Sequence, residues 1–316
     1  MRQLSSTREA YGKTLVALGK ENPDIIVLDA DLSRSTMTRL FAQEFPQRFF
    51  DCGIAEQNMI GIAAGLAASG KVVFASSFAI FSTGRCFDQL RISVAQPHLN
   101  VKVVATHGGI SVGEDGFSHQ SVEDLSLACS LPGFTVVVPA DAIETTQVVR
   151  MAAVTPGPFY VRLSRPSTPL VHSNSYKFVL GKAVTMRPGF DATIIANGIM
   201  VARALEAAEN LSHQGIECRV ISMPTLKPLD REAIALAARE TGAIVTAEEH
   251  LEQGGLGSRV AQEVVQYQPV PMTFVAIKDV YAKSGTCEEL LQQYSLTAAD
   301  IERAVKSTIG KKASST

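Results

Sequence analysis

Short apolar runs of strand length recur along the first half of the chain, each followed by a longer stretch with helical spacing: DIIVL (24–28), KVVFAS (71–76), VKVVAT (101–106) and TVVVP (135–139). Strands alternating with helices predict an α/β fold, a parallel sheet covered by helices. A helix precedes the first strand. Ser6 with Glu9 three residues on forms a capping box, and Leu15, Val16 and Leu18 carry the helix towards Gly19. From about Arg165 to Gly189 the pattern breaks into RPSTPLVHSNSYKF, rich in proline and serine. A second series then opens at DATIIANG (191–198) and continues with IECRVIS (216–222), GAIVTAEE (242–249) and MTFVAI (272–277). We therefore expect a first domain over 1–170, a linker over 171–190 and a smaller α/β domain over 191–316, its tail frayed from Ser307.

Charge removes some function classes. With 29 Lys+Arg against 31 Asp+Glu, the net charge of -2 leaves no cationic excess for a nucleic acid backbone. No window approaches the ~18 uninterrupted apolar residues of a membrane helix, and MRQLSSTREAYGK has no apolar core of signal-peptide length, so the cytoplasm is expected. The five cysteines (Cys52, Cys86, Cys129, Cys218, Cys287) are odd in number, far apart and form no CxxC pair, the pattern of reduced, mostly buried thiols rather than disulfides or structural zinc.

Open parallel sheets bind ligands at the carboxyl ends of their strands, which selects three segments. In DCGIAEQNMIGIAAGLAASG (51–70), Glu56 opens a helix that is small and apolar around its circumference and must be buried. Gly61, Ala64, Gly65 and Ala68 let it pack closely on its own domain or on another subunit. Taken alone, Glu56 reads as a first-turn residue that complements the helix dipole. In SFAIFSTGRCFDQ (77–89), Phe78 and Phe81 taken alone read as core aromatics. The loop HGGISVGEDGFSHQ (107–120) is too long and glycine-rich for a plain connection, and His107, Asp115 and His119 can bind hydroxyls or phosphate. It also contains Gly109-Ile110-Ser111-Val112-Gly113, the G-x-S-x-G pattern of hydrolases, but more loop follows where a nucleophile elbow needs a helix. Gly254-Gly255-Leu256-Gly257 lacks the spacing and lysine of a phosphate loop and reads as a tight turn.

Together, IAEQNM (54–59), SFAIF with RCFDQ (77–89), HGGISVGEDGFSHQSVEDL (107–125), LSRP (163–166) and EEHLEQGGLGSRV (248–260) resemble the carboxyl-terminal half of transketolase, in order and spacing, over nearly the whole chain. The resemblance implies a pyrimidine-binding domain followed by a smaller C-terminal domain, and an enzyme that moves a two-carbon ketol unit between sugar phosphates using thiamine diphosphate and Mg²⁺ or another divalent cation. It implies that Glu56 hydrogen-bonds the ring nitrogen of the aminopyrimidine, a role that needs a protonated carboxyl, which burial favours. Phe78 and Phe81 would hold the pyrimidine, with Asp31 beside the cofactor. Arg8, Ser35, His107 and Arg165 would bind substrate phosphate, Asp115 would read a 2-hydroxyl, and His119 would lie close to the ketol fragment and join Glu56 in catalysis. Gly84 is an extra residue between Phe81 and Arg85 relative to some members and leaves a third cofactor-facing aromatic open.

The family anchors the diphosphate and its metal with a GDG motif and a later asparagine. This chain has GEDG (113–116) in the substrate loop but no such pair, and so no metal site of its own is expected. The expectation is therefore the second subunit of a split transketolase, working with an N-terminal subunit in a heterotetramer of two copies of each chain. The alternatives are a deoxyxylulose-phosphate synthase-like protein, the beta subunit of a 2-oxo-acid dehydrogenase, and a non-catalytic scaffold subunit. The GEDGFSH run with His107 speaks against the first two, and Glu56 with the phosphate-binding set against the third.

Overall fold

In the computed structural model, which describes residues 3–313, the first half builds one sheet from β1 (Ile25–Asp29), β2 (Phe49–Asp51), β3 (Val72–Ser76), β4 (Val101–Ala105), β5 (Thr135–Val137) and β6 (Phe159–Arg162). These six run parallel in the order β5-β6-β4-β3-β1-β2. The inner strands β1, β4 and β6 are buried along their whole length, which is why the first two read as mainly apolar runs, each with one buried charged residue, Asp29 in β1 and Lys102 in β4. β2 and β6 were not expected from the sequence. One is a three-residue edge strand and the other only four residues long. On one face lies α1 (Thr7–Glu21), whose N-terminus is capped by the Ser6 side chain accepting the Glu9 N–H at 3.3 Å. It packs Tyr11, Leu15 and Leu18 into a cluster with Val148, Val149 and Ala152 of α3 (Ala142–Val154). On the other face α2 (Glu56–Ala68) buries Met59, Ile60, Ala63, Ala64 and Ala67.

The second half contains β7 (Val184–Arg187), β8 (Ala192–Ala196), β9 (Cys218–Ser222), β10 (Thr225–Lys227), β11 (Ile244–Leu251) and β12 (Met272–Ile277). Five of these form a sheet in the order β12-β11-β8-β9-β7, parallel except for the edge strand β7. Its main helices are α4 (Met200–Ser212), α5 (Arg231–Thr241), α6 (Leu256–Tyr267), α7 (Cys287–Gln293) and α8 (Ala298–Ala313).

Three features depart from the expected division. β7 lies inside the segment 171–190 expected to link the halves. β10 leaves its own half and pairs antiparallel with β5, completing the edge of the first sheet. The chain does not fray from Ser307: α8 continues to Ala313, tied by Thr308 Oγ1 to Thr273 Oγ1 at 2.8 Å and by Lys312 Nζ to the Thr241 carbonyl at 2.7 Å. The last three residues lie outside those described. One apolar cluster crosses the junction and joins Val136 and Val138 to Ile221, Leu226 and Leu256. Cys86, Cys129 and Cys218 are buried, Cys52 and Cys287 partly so, and all five thiols are free. No helix among the described residues is long and apolar enough to cross a membrane.

Candidate functional site

β3 and β4 end side by side, and an isolated parallel bridge between Phe78 and Thr106 carries their pairing three residues further. That bridge sets Phe78 against His107, their rings stacked with centroids 3.8 Å apart. Phe81, one turn on in the short helix Ala79–Thr83, stacks on Phe78 at 6.0 Å. His119 meets both phenyl rings edge-on, at 6.2 and 5.3 Å. Phe78 is buried beneath this arrangement, and Phe81 keeps a half-exposed face. The next aromatic, Phe87, packs against the domain's own core.

Glu56 is the first residue of α2 and only 4% exposed. Its Oε1 accepts a hydrogen bond from Arg85 Nη1 at 2.8 Å, and the same guanidinium lies 4.1 Å over the Phe81 ring. Arg85 thus bridges the carboxylate and the aromatic face. It opens the RCFDQ motif but was not singled out by sequence reasoning, although a cation four residues after an aromatic is a stacking signal.

A second cluster gathers around His107, whose Nδ1 shares a hydrogen with Thr106 Oγ1 at 2.8 Å. Burial first, then the positive charges of Arg8, Arg165 and His119, push its imidazole down to about 3. At neutral pH His107 is therefore uncharged and contributes hydrogen bonding rather than charge. Arg8, from the first turn of α1, donates to the Ser35 carbonyl at 2.7 Å and to the Arg165 carbonyl at 3.0 Å. Burial and then Arg165 hold its guanidinium below the ordinary range, though arginine stays charged. Arg165 bonds the Val112 carbonyl and lies 3.7 Å from Asp115. Arg8 and Arg165 bring two positive charges beside the neutral His107, the condition for holding an anion.

Asp31 stands just beyond β1 at φ 62, its N–H bonded to Asp51 Oδ1 at 3.0 Å. Among the described residues no hydrogen bond or ring contact joins it to Glu56, Phe78 or Phe81. The turn that carries Asp31 and Ser35 is fixed by buried Asp29, which accepts from Thr36 and Thr38 hydroxyls at 2.7 and 2.8 Å and from the Leu32 N–H at 2.7 Å. Burial pushes the Asp29 carboxyl up to about 6 in spite of these bonds.

Two motifs resolve as structural. Ser111 is buried in a 3₁₀ segment (Ile110–Asp115) and is not presented at a strand-to-helix elbow. The N-terminus of α6 is closed by buried Glu248, whose carboxylate accepts the Leu256 and Gly257 N–H groups at 2.7 Å each. Gly254 makes the turn before it at φ 78. Among the described residues no group of three or more His, Cys, Asp or Glu side chains is placed to hold a metal ion.

Residues 4–171 match the transketolase pyrimidine-binding domain and residues 181–301 the transketolase C-terminal domain. The chain belongs to the transketolase family. It is 45% identical to a Methanocaldococcus jannaschii protein described as a transketolase C-terminal section, over 96% of both chains. It is 41% identical to a 6-deoxy-6-sulfo-D-fructose transketolase subunit of Clostridium sp. strain MSTE9, over 96% of this chain and 95% of that one. A solved structure described as a split-gene transketolase in an inactive β4 tetramer superposes with a TM-score of 0.91 and 51% identity, covering 97% of this chain and 99% of that one. Human transketolase is 40% identical over 97% of this chain but only 49% of its own length, so the chain spans about half of that relative. In transketolase terms it is a subunit built from the pyrimidine-binding and C-terminal domains.

This transketolase subunit presents one face of α2 outward. Gly61, Ile62, Gly65 and Ala68 are exposed, and Ile92 is exposed on the adjoining π-helical segment Leu90–Ala95. A Cβ added at Gly61 or Gly65 meets nothing within 4 Å. Ala64, expected on the same contact face, instead packs into its own core at 6% exposure, because it falls on the side of the helix that carries Ile60 and Ala63.

Proposed function

We propose that this chain is the pyrimidine-side subunit of a two-chain transketolase, active as a ketol transferase only when joined to a chain that holds the diphosphate and a divalent cation such as Mg²⁺. The observation that carries the reading is the contact path from Glu56 through Arg85, Phe81 and Phe78 to His107, whose imidazole in turn feels the charge of the joined Arg8 and Arg165. It supports reading the Glu56 carboxylate and the Arg8–Arg165 pair as parts of one site at the carboxyl ends of the strands. The fit to a pyrimidine is favourable. The Arg85 guanidinium, flat, stacked on Phe81 and bonded to Glu56, occupies a space of the shape and polarity that an aminopyrimidine needs. Arg85 is half exposed and can turn away. The matches to whole relatives described as a section, a subunit and a split-gene protein support the dependence on a partner.

Thiamine diphosphate, when bound, supplies the acidic thiazolium carbon at which the ketose C–C bond is cleaved. The chain's own residues would take the following parts. Glu56 would hold the proton at the pyrimidine ring nitrogen, and Phe81 and Phe78 would hold the ring. Arg8 and Arg165 clamp the substrate phosphate with the Ser35 turn and His107 beside them. Asp115 reads the 2-hydroxyl, and His119 closes the site over the ketol fragment.

Calorimetric titration with thiamine diphosphate and Mg²⁺, with and without the partner chain, tests the reading. Weak binding and no transfer by the single chain are expected, with both restored by the partner. Tight binding or transfer by the single chain overturns it.

Arg165→Ala should lower kcat/KM for a phosphorylated ketose about ten- to a hundredfold, the effect of losing one charge-assisted contact. Hydroxypyruvate, which carries no phosphate, should be affected far less. Equal losses on both donors would remove Arg165 from the phosphate pocket.

A further inference from the structure

The loop that carries His107, Asp115 and His119 belongs to the first half of the chain, yet it is held from the second. Near its end β11 carries Glu248-Glu249-His250, and Glu249 is 5% exposed at the junction. Its carboxylate accepts the backbone N–H of Ser111 and rests against the α-carbon of Gly109. A side chain at 109 would occupy the carboxylate's place, and Gly109 itself sits at φ 79. The other end of the loop is fixed by buried Arg162, from the end of β6. Arg162 donates to the Ser121 carbonyl at 3.1 Å and to the Glu249 carbonyl at 2.8 Å. Its Nε lies 3.2 Å from Asp124, which also accepts the Tyr160 hydroxyl at 2.6 Å. The Gly109 N–H bonds the Ser121 carbonyl at 2.7 Å and closes the loop's base. At its tip the loop meets the second half again: Gln120 Nε2 donates to the Lys283 carbonyl at 3.0 Å, and Gly116 lies against Ser284.

We infer that Glu249 is a positioning residue, a latch by which the C-terminal domain sets the pose of the substrate loop through the Ser111 N–H and thereby aims His107, Asp115 and His119. The inference rests on the ketol-transfer reading for its effect on substrate, whereas the latch itself can be read without substrate. A burial-driven rise of the Glu249 carboxyl to about 6, opposed by Arg162, leaves it ionised at neutral pH and able to accept the bond.

Two conservative variants separate reach from charge. Glu249→Gln keeps the reach and an acceptor oxygen for Ser111 but loses the charge. Glu249→Asp keeps the charge beside Arg162 but is one methylene short of Ser111. In the full chain, amide hydrogen exchange over 109–120 should accelerate about tenfold in Glu249→Asp and within about threefold in Glu249→Gln, the scale of one lost hydrogen bond to a charged group. In the complex with the partner chain, KM for a sugar phosphate should follow the same order. Proton exchange at the thiazolium carbon, which depends on Glu56, should stay at the wild-type rate. The reverse order, with Gln the more damaging, would make Glu249 merely a counter-charge for Arg162 and overturn the latch. So would unchanged loop exchange, or faster loop exchange with an unchanged KM. A wild-type complex with no transfer activity would instead overturn the ketol-transfer reading, and loop exchange in the two variants would then decide the latch by itself.

Discussion

Glu56→Gln should cut turnover of the reconstituted enzyme on the order of a hundredfold or more, the scale of a lost acid–base function. The amide is isosteric and remains able to hydrogen-bond, but it cannot hold or release the proton that the pyrimidine nitrogen requires. Folding should survive for a reason visible in the structure. The group that loses its partner is Arg85, whose side chain is 50% exposed and can turn to water, so no stranded buried charge remains. The decisive readout is proton exchange at the thiazolium carbon, followed by NMR in the complex. It should slow in step with turnover, while the thermal melting of the chain stays close to wild type. A near-normal exchange rate would return Glu56 to a helix-dipole role.

Gly65→Leu should abolish association with the partner or with a second copy of this chain while leaving the isolated chain folded. The position is open in the monomer, so a leucine meets no clash there and gains somewhat less helix propensity over glycine than the roughly 0.8 to 1 kcal/mol that alanine would. The same side chain keeps a neighbouring backbone from approaching the Gly61–Gly65 face, and overpacking of that kind costs about 1 to 3 kcal/mol per site. The two effects have opposite signs. Melting temperature should hold or rise as light scattering of the mixed chains loses its heavy species and activity disappears. A fully assembled, active variant would leave this face in solvent. Ala64→Leu is unsuitable for the purpose, because that residue is packed in its own core.

The fold was legible where two-sided burial extends over a run of five or more residues, and the four-residue β6, equally buried, was too short to stand out. β1, β4, β8 and the start of β11 are mainly apolar runs because both faces of each strand are covered, and such runs need no register to be recognised. β2, β7 and β10 escaped because edge strands of three or four residues carry mixed side chains and are held mainly by backbone pairing. For the site, the order and spacing of motifs pointed to the Phe78, Phe81, His107 and His119 group, and the structure brings those four rings together. Arg85 and Glu249 were not foreseen in their roles. Each acts on a segment far away in sequence, Arg85 on Glu56 and Glu249 on Ser111, and neither pairing leaves a periodicity or a local spacing to read.

The strand Thr225–Lys227 makes the border between the two halves different in space from what it is along the chain. It supplies the terminal strand of the first sheet, so β5 has hydrogen-bonding partners on both sides. Cutting the polypeptide near residue 175 and discarding its C-terminal portion would strip that cover, and β5 would be left with a row of unpaired N–H and C=O groups, the type of edge that recruits other chains. Modular exchange of the C-terminal domain between relatives must therefore carry this strand's pairing intact. A division of the gene in the middle of this chain would break that ladder.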